Sequence, residues 1–293
     1  MAGAVDVRPS PIAGRWYPRE PGRLARSIDA YLEAAPPAEL HGTVVALLAP
    51  HAGHMYSGAV AGHAFAAVRG SSPRLVAVVG PIHDAHRAAL LSSGHQAYGT
   101  PLGSVPVDQI ALRQLDARIK AETGRPLTLI RGDDEHSVEI GLPFLQRALR
   151  GEFRLLPVMV RRCGREVARG LGRALAAVLH GQPSLLVASS DLSHYCPQDV
   201  ADRLDAELLK RVEALDPEGV LRAEAEGTGA ACGAEALAAV LWAARDLGAD
   251  RARILRHGTS GDVTGEHREV VGYGAAVMLR GRGNTEVRRR EAT

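Results

Sequence analysis

The chain has 293 residues, 46% hydrophobic and 23% charged, which excludes disorder over most of its length and allows one large core or two modest ones. Its 35 Lys and Arg against 33 Asp and Glu leave a net charge of +2, too balanced for nucleic acid or an anionic membrane to be the main partner. No run approaches the roughly 18 uninterrupted apolar residues of a spanning helix, and residues 1–11 lack a charged start followed by an apolar core, so we expect a cytoplasmic protein. Cys163, Cys196 and Cys232 cannot all pair and read as reduced thiols.

Residues 7–18 are too rich in proline and glycine for a regular element and read as an ordered arm, packed on the domain through Trp16 and Tyr17. Residues 21–34 have helical spacing, with Leu24, Ile28, Tyr31 and Leu32 on one stripe, and Ala35-Pro36-Pro37 ends that helix. Residues 43–49 form an unbroken apolar run that stops at Pro50, the pattern of a strand covered on both faces. An Ala-rich helix over 58–68 follows, then a strand at 75–79, an apolar piece at 88–91, a short Val105-Pro106-Val107 and a helix from Asp108 to about Arg118.

Residues 133–149 combine an acidic loop with a helix in which Pro143 should sit early or make a kink. Strands at 153–160 and 184–188 bracket an amphipathic helix at 165–180, and helices follow at 199–215 and 217–226. The small-residue loop 227–233 opens a helix at 234–247, and strands at 252–255 and 270–279 close the chain. Strands alternate with helices, so the class is α/β: one domain with a central mostly parallel or mixed sheet flanked by helices, ending near residue 280, with a flexible polar tail over 281–293.

The same grammar of strand, turn and histidine occurs three times, at His51, His83 and His194. In open α/β sheets the ligand site lies beyond the carboxyl ends of the strands, so three histidines delivered there can converge. Neutral imidazole is the commonest metal ligand, and two histidines with one anionic ligand on one face leave positions open for substrate or oxygen. Cys232 is the candidate anionic ligand: at a helix start, free backbone amides and the helix dipole favour thiolate. It can equally be a small buried filler, and Cys163 and Cys196 are weaker candidates. Asp191 can orient an imidazole, bind a substrate hydroxyl or simply cap a helix, while Glu135-His136-Ser137 with Glu139 offers either a second histidine among carboxylates or a capped helix start with a solvated face. His54, His63, His86, His95, His257 and His267 form the background, with His86 close enough to His83 to line the same mouth.

These pieces together resemble the Memo family, known in prokaryotes as the AmmeMemoRadiSam system protein B family, over nearly the whole chain. The matching stretches are the arm 8–18, Ala49-Pro50-His51-Ala52-Gly53, Tyr56-Ser57-Gly58, Gly80-Pro81 with His83, residues 134–139, residues 189–194 and Cys232-Gly233. The family is similar in fold to the catalytic subunits of class III extradiol dioxygenases, non-haem iron enzymes with a glutamate where Memo proteins carry a cysteine. The resemblance therefore implies metal ligation by His51, His83 and Cys232, with His194 as the acid/base residue and Asp191 beside it. Tyr56, Glu135 and His136 are expected to line the substrate cavity. Here Pro81-Ile82-His83-Asp84 has one histidine where the family often has two, which bears on substrate contacts.

A thiolate in place of a carboxylate softens the site, so the expected cofactor is iron(II) or copper, with zinc as a further candidate. The leading expectation is a metal-dependent redox role; the alternatives are a non-catalytic module that binds a peptide or small molecule in the same cleft, and a zinc hydrolase. The resemblance also implies a functional link to AMMECR-type and radical SAM proteins.

Overall fold

The structure is a computed structural model that describes residues 5–36 and 39–281; most of the tail expected over 281–293 lies outside the described residues. Along the chain run β1 (Val7–Arg8), α1 (Pro21–Ala34), β2 (Thr43–Ala49), α2 (His54–Ala66), β3 (Leu75–Pro81), β4 (Leu90–Ser93), β5 (Ala97–Thr100), β6 (Gly103–Pro106), α3 (Gln109–Thr123), β7 (Thr128–Ile130) and α4 (Leu142–Ala148). The second half supplies β8 (Arg154–Val160), α5 (Arg165–Leu179), β9 (Ser184–Ser189), β10 (His194–Cys196), α6 (Gln198–Glu213), α7 (Pro217–Ala225), α8 (Ala234–Asp246), β11 (Arg251–Thr259), α9 (Gly261–Thr264) and β12 (Val270–Arg280).

Nine of the strands form one mixed sheet in the order β10-β12-β2-β9-β3-β8-β4-β7, with β11 on β12. At its centre β2, β9, β3 and β8 run parallel, and β12 and β4 pair antiparallel at the flanks. The central strands are buried almost end to end, as their apolar runs require when helices cover both faces. α2 packs on β2, β11 and β12 with α1 beside it, whereas α8 packs on β2, β3, β8 and β9 with α5 behind it. The single-domain α/β architecture expected from the alternation of elements is the one observed. Among the described residues no helix is long and apolar enough to cross a membrane.

Several boundaries move for identifiable reasons. α2 begins at His54, four residues before the expected start, so His51 lies three residues ahead of a helix rather than in a long turn. α3 continues past Arg118 because Ile119 is buried and Lys120 pairs with Asp116 one turn back; it stops where Gly124 turns left-handed at φ 69°. β11 runs on to Thr259 because β12 offers it partners from Leu279 back to Gly272. Pro143 does sit early in its helix, in the first turn of α4, where a missing N–H costs nothing.

The arm has one short strand that the sequence did not suggest: β1 pairs in parallel with β5 in a separate three-stranded sheet completed by β6. Beyond it the arm lacks regular structure, yet Ile12 and Tyr17 are buried, so it is part of the packed body.

Candidate metal centre

His51, His83, Asp191, His194 and Cys232 all line one cavity of about 760 Å³, together with His136 and Tyr56. β2 delivers His51 just beyond its last residue, and β3 delivers His83 in the same way. The loop after β9 carries Asp191 and leads into β10, whose first residue is His194. Cys232 precedes α8, which packs on β3 and β9. His83 and Cys232 also stand in the wall of a second cavity of about 570 Å³, with Arg161, Arg162 and Glu235.

Three imidazoles form the tight core of the site. Donor atoms of His51, His83 and His136 all lie within 4.8 Å of one another. His83 and His136 stack at 4.6 Å with rings 14° apart, and each meets His51 at 5.3 Å in a T-shaped arrangement. His136 comes from the loop between β7 and α4, not from the end of a central strand. It reaches the others because Gly80 has no side chain: a Cβ there would lie 2.7 Å from Ser137 Oγ and 2.8 Å from Ser137 Cβ. Strand-end reasoning left His136 among the lining residues, and Glu-His-Ser beside an acidic loop was the sequence signal for it.

Hydrogen bonds fix which nitrogen of the neutral ring is bare in His51, His83 and His194. Ser189 Oγ spends its proton on the Ser137 carbonyl at 2.5 Å, so it accepts from His51 Nδ1 at 3.1 Å and leaves His51 Nε2 without a proton. Glu135 accepts from His83 Nδ1 at 3.0 Å through Oε1 and 3.1 Å through Oε2, which does the same for His83 in its neutral form. His194 Nδ1 donates to the Leu192 carbonyl at 2.8 Å, which leaves Nε2 bare in the neutral form of a residue that lines the cavity.

Burial sets the charges. It drives His51 and His136 down to about 3, helped in each case by the neighbouring imidazoles, so both stay neutral. Burial also acts to lower His83, but the Glu135 carboxylate outweighs it and raises the value. Burial acts to raise Glu135, and there the imidazole hydrogen bond wins and holds it far below the usual carboxylate range. Asp191 is raised to about 6 by burial, although His51 and Ala52 donate their backbone N–H groups to its Oδ1 at 2.7 and 3.2 Å. It therefore ties the His51 turn to the β9–β10 loop and caps no helix.

Cys232 Sγ lies 3.0 Å from His51 Nε2. The residue lies two positions before α8, where the sequence placed it, but burial, with Asp191 nearby, pushes its thiol up to about 12 instead of toward the expected thiolate. Gly233 allows this close seating, since a Cβ there would meet Ser190 Oγ at 2.9 Å. Cys163 and Cys196 do not line the cavity.

Two further expectations change. Glu135 lies behind His83 and His136, 4% exposed, and holds them without lining the cavity. Glu139 is fully buried against Arg8 and has no solvated face. The walls come largely from residues the motif reading did not place there: Arg15, Tyr195, Glu266, Glu269 and Tyr273, and Trp16, which packs on His136 at 4.0 Å. Tyr195 is 75% exposed at φ 53°, a left-handed conformation rare for an aromatic residue. His86 and the other background histidines stay outside the cavity, and His54 is buried with Nε2 bonded to the Ile140 carbonyl at 3.0 Å.

Fold and site together define an α/β protein with a cavity at the carboxyl edge of its sheet, lined by four histidines and one cysteine. The Memo-like protein family matches over residues 8–277, so this chain belongs to that family. It is 32% identical to a MEMO1 family protein of Methanopyrus kandleri over 280 residues, covering 92% of this chain and 98% of that one. Another from Methanothermobacter thermautotrophicus is 34% identical, covering 91% of this chain and 98% of the relative. A third, from Nitrosopumilus maritimus, is 31% identical, at 93% and 100%. An uncharacterised protein of Escherichia coli K12 of known structure aligns over 80% of this chain and 100% of its own at TM-score 0.44 and 16% identity.

Proposed function

We propose that the protein binds a redox-active metal, iron(II) or copper, on the cavity floor and serves metal-dependent redox chemistry on a small ligand. The observation that carries this reading is the set of three imidazole donors within 4.8 Å, with a thiol beside one of them. His51 and His83 offer bare Nε2 atoms, and Cys232 offers a soft sulfur. His136 is close enough to add a third nitrogen. This nitrogen-and-sulfur set suits copper, iron or zinc and is a poor match for magnesium or calcium, which prefer oxygen.

When bound, the metal would supply open coordination positions and a route for electrons. His194, with Nδ1–H committed to the Leu192 carbonyl, would take a proton on Nε2 from a ligand in the cavity and return it later. Asp191 would hold the His51 turn in register with the His194 loop. Trp16, Tyr56 and Tyr273 would orient the ligand and keep water from it. A functional link to AMMECR-type and radical SAM proteins belongs to the same proposal and rests on the family.

A second reading, a module that binds a peptide or small molecule without turnover, is favoured by the exposed aromatic rim, where Tyr56 is 37% and Tyr195 75% exposed. A zinc hydrolase would use the same donors, with His194 as base. Metal analysis and oxygen uptake of anaerobically purified protein separate the three. Cys232→Ser should cost more than the roughly 10- to 100-fold in metal affinity typical of residues that merely support a ligand. His194→Ala should keep the metal and lose any turnover. Equal metal affinity in wild type and Cys232→Ser would remove the thiol from the site.

A further inference from the structure

Arg8 lies in the N-terminal arm and is 2% exposed. Its guanidinium sits over the Tyr98 ring at 5.0 Å, and every hydrogen bond it makes goes to the stretch 133–139. Nη1 donates to Glu139 Oε2 at 2.7 Å. Nη2 donates to Asp133 Oδ1 at 2.6 Å and to the backbone carbonyl of Glu135 at 2.7 Å. The Glu135 N–H is held in turn by Asp133 Oδ1 at 3.2 Å. Arg8 and Asp133 thus fix both backbone polar groups of the residue whose carboxylate organises the histidines.

That carboxylate leaves little slack. Oε2 accepts the His83 backbone N–H at 2.6 Å, and Oε1 accepts the N–H groups of His136 and Ser137 at 2.8 Å each. Both oxygens face His83 Nδ1. A small rotation of Glu135 would therefore change the proton position on His83 and move His83 and His136 together. Only a planar fork can serve Asp133, Glu139 and the Glu135 carbonyl at once; an ammonium reaches fewer of them.

We propose that Arg8 is a positioning residue of the histidine cluster: the arm, through Arg8, sets the orientation of Glu135 and thereby keeps His83 Nε2 bare and aimed into the cavity. The proposal deepens the metal-binding reading and rests on it for its consequence, but the geometry of His83 can be read with no metal present.

The test uses the full chain in four forms: wild type, Arg8→Lys, Asp133→Asn and Tyr17→Phe. Asp133→Asn weakens the fork while leaving the Arg8–Glu139 pair in place, so it reports even if Arg8→Lys does not fold. Tyr17→Phe removes a different arm bond, the 2.6 Å donation to Glu139 Oε1, and leaves Glu135 untouched. The imidazole nitrogen spectrum of metal-free protein, at one alkaline pH, should show a single Nδ1–H form of His83 in wild type and Tyr17→Phe. The two fork variants should show a mixture of tautomers. Cobalt(II) added to each should bind the fork variants about 10- to 100-fold more weakly, with a shifted absorption band, and Tyr17→Phe like wild type. A wild-type tautomer in both fork variants overturns the proposal whatever the metal does. No cobalt binding by wild type, together with a changed tautomer in the fork variants, overturns the metal reading and leaves the role of Arg8 standing.

Discussion

The cavity floor is assembled in two ways. His51 and Asp191 come from the ends of β2 and β9, adjacent parallel strands paired from Ala46 with Leu186 to Ala49 with Ser189, and their positions follow from the sheet. His83 takes its backbone position from β3, but its ring, and all of His136, depend on Glu135 in the loop 133–139, which the arm ties down through Arg8, whereas Ser10 and Tyr17 reach only Glu139 at the far end of that loop. One half is held by apolar packing and backbone ladders, the other by a buried polar network. Local loss in the apolar packing costs stability but leaves the ladder that places the site, whereas removing one partner of a buried ion pair leaves the other charge alone and frees the loop it held.

The largest effect should come from Glu139→Ala. It removes the fully buried partner of Arg8 and the acceptor of Ser10 and Tyr17. Losing one side of a buried pair costs about 3–5 kcal/mol. Thermal unfolding should shift down by roughly 10 °C, taking about 2–4 °C per kcal/mol for a domain of this size. Metal affinity should fall with it. Leu47→Ala on β2, at a position with 0% exposure, should cost about 2–5 kcal/mol by cavity formation. Its metal affinity should nevertheless stay within a few-fold of wild type, since the ladder on both sides of β2 still sets His51. If Leu47→Ala loses metal as steeply as Glu139→Ala at equal stability, the two halves are held alike and the distinction fails.

A smaller effect sharpens the same contrast from the strand side. Gly80→Ala would place a Cβ against Ser137, whose backbone is pinned by Glu135. Overpacking of this kind costs about 1–3 kcal/mol. The strain should be relieved mainly by displacement of the loop, so the stacked ring of His136 should move most; His51 should respond less, through Ser189, which gives its proton to the Ser137 carbonyl and would lie 3.3 Å from the new Cβ. Chemical-shift changes larger at His136 than at His51 would bear this out, and equal changes at both rings would count against it.

The difference between the halves is also the difference between what the sequence made legible and what it hid. Residues 43–49 and 75–79 are apolar without alternation, and such runs specify covered parallel strands, so His51 and His83 could be placed beyond them from periodicity alone. His194 followed the same rule. The arm and the loop 133–139 have no periodicity: their order comes from contacts between Arg8 and residues 125 to 131 positions away, a partnership no local pattern encodes. Hence Glu135 was expected to line the cavity when it in fact lies behind the histidines, and Trp16 was read as packing surface when it also forms a wall. The helix-start rule for Cys232 failed for a related reason: it concerns local dipoles, whereas the thiol responds first to burial, which is a property of the whole fold.

The smallest predicted effect lies behind His194, on the strand-held side. Asp205 on α6 is fully buried; it accepts the Ser193 backbone N–H at 2.9 Å through Oδ1 and faces His257 Nε2 at 2.8 Å through Oδ2. The hydrogen bond to Asp205 raises His257 above its ordinary 6.5, with Asp202 and Asp262 adding to the effect against partial desolvation. Because the folded value is the higher one, the protonated form favours the fold. Its contribution is complete below the unfolded value near 6.5 and disappears as pH rises through the folded value. With the His257 side chain 30% exposed, solvent limits the contribution to about 1 kcal/mol. Unfolding in urea should therefore show wild type losing up to that amount as pH rises from below 6.5 through the raised folded value, while His257→Gln, unable to charge, loses none of it. A parallel pH slope in the two proteins would show that Asp205 holds the Ser193 turn without help from a charged His257.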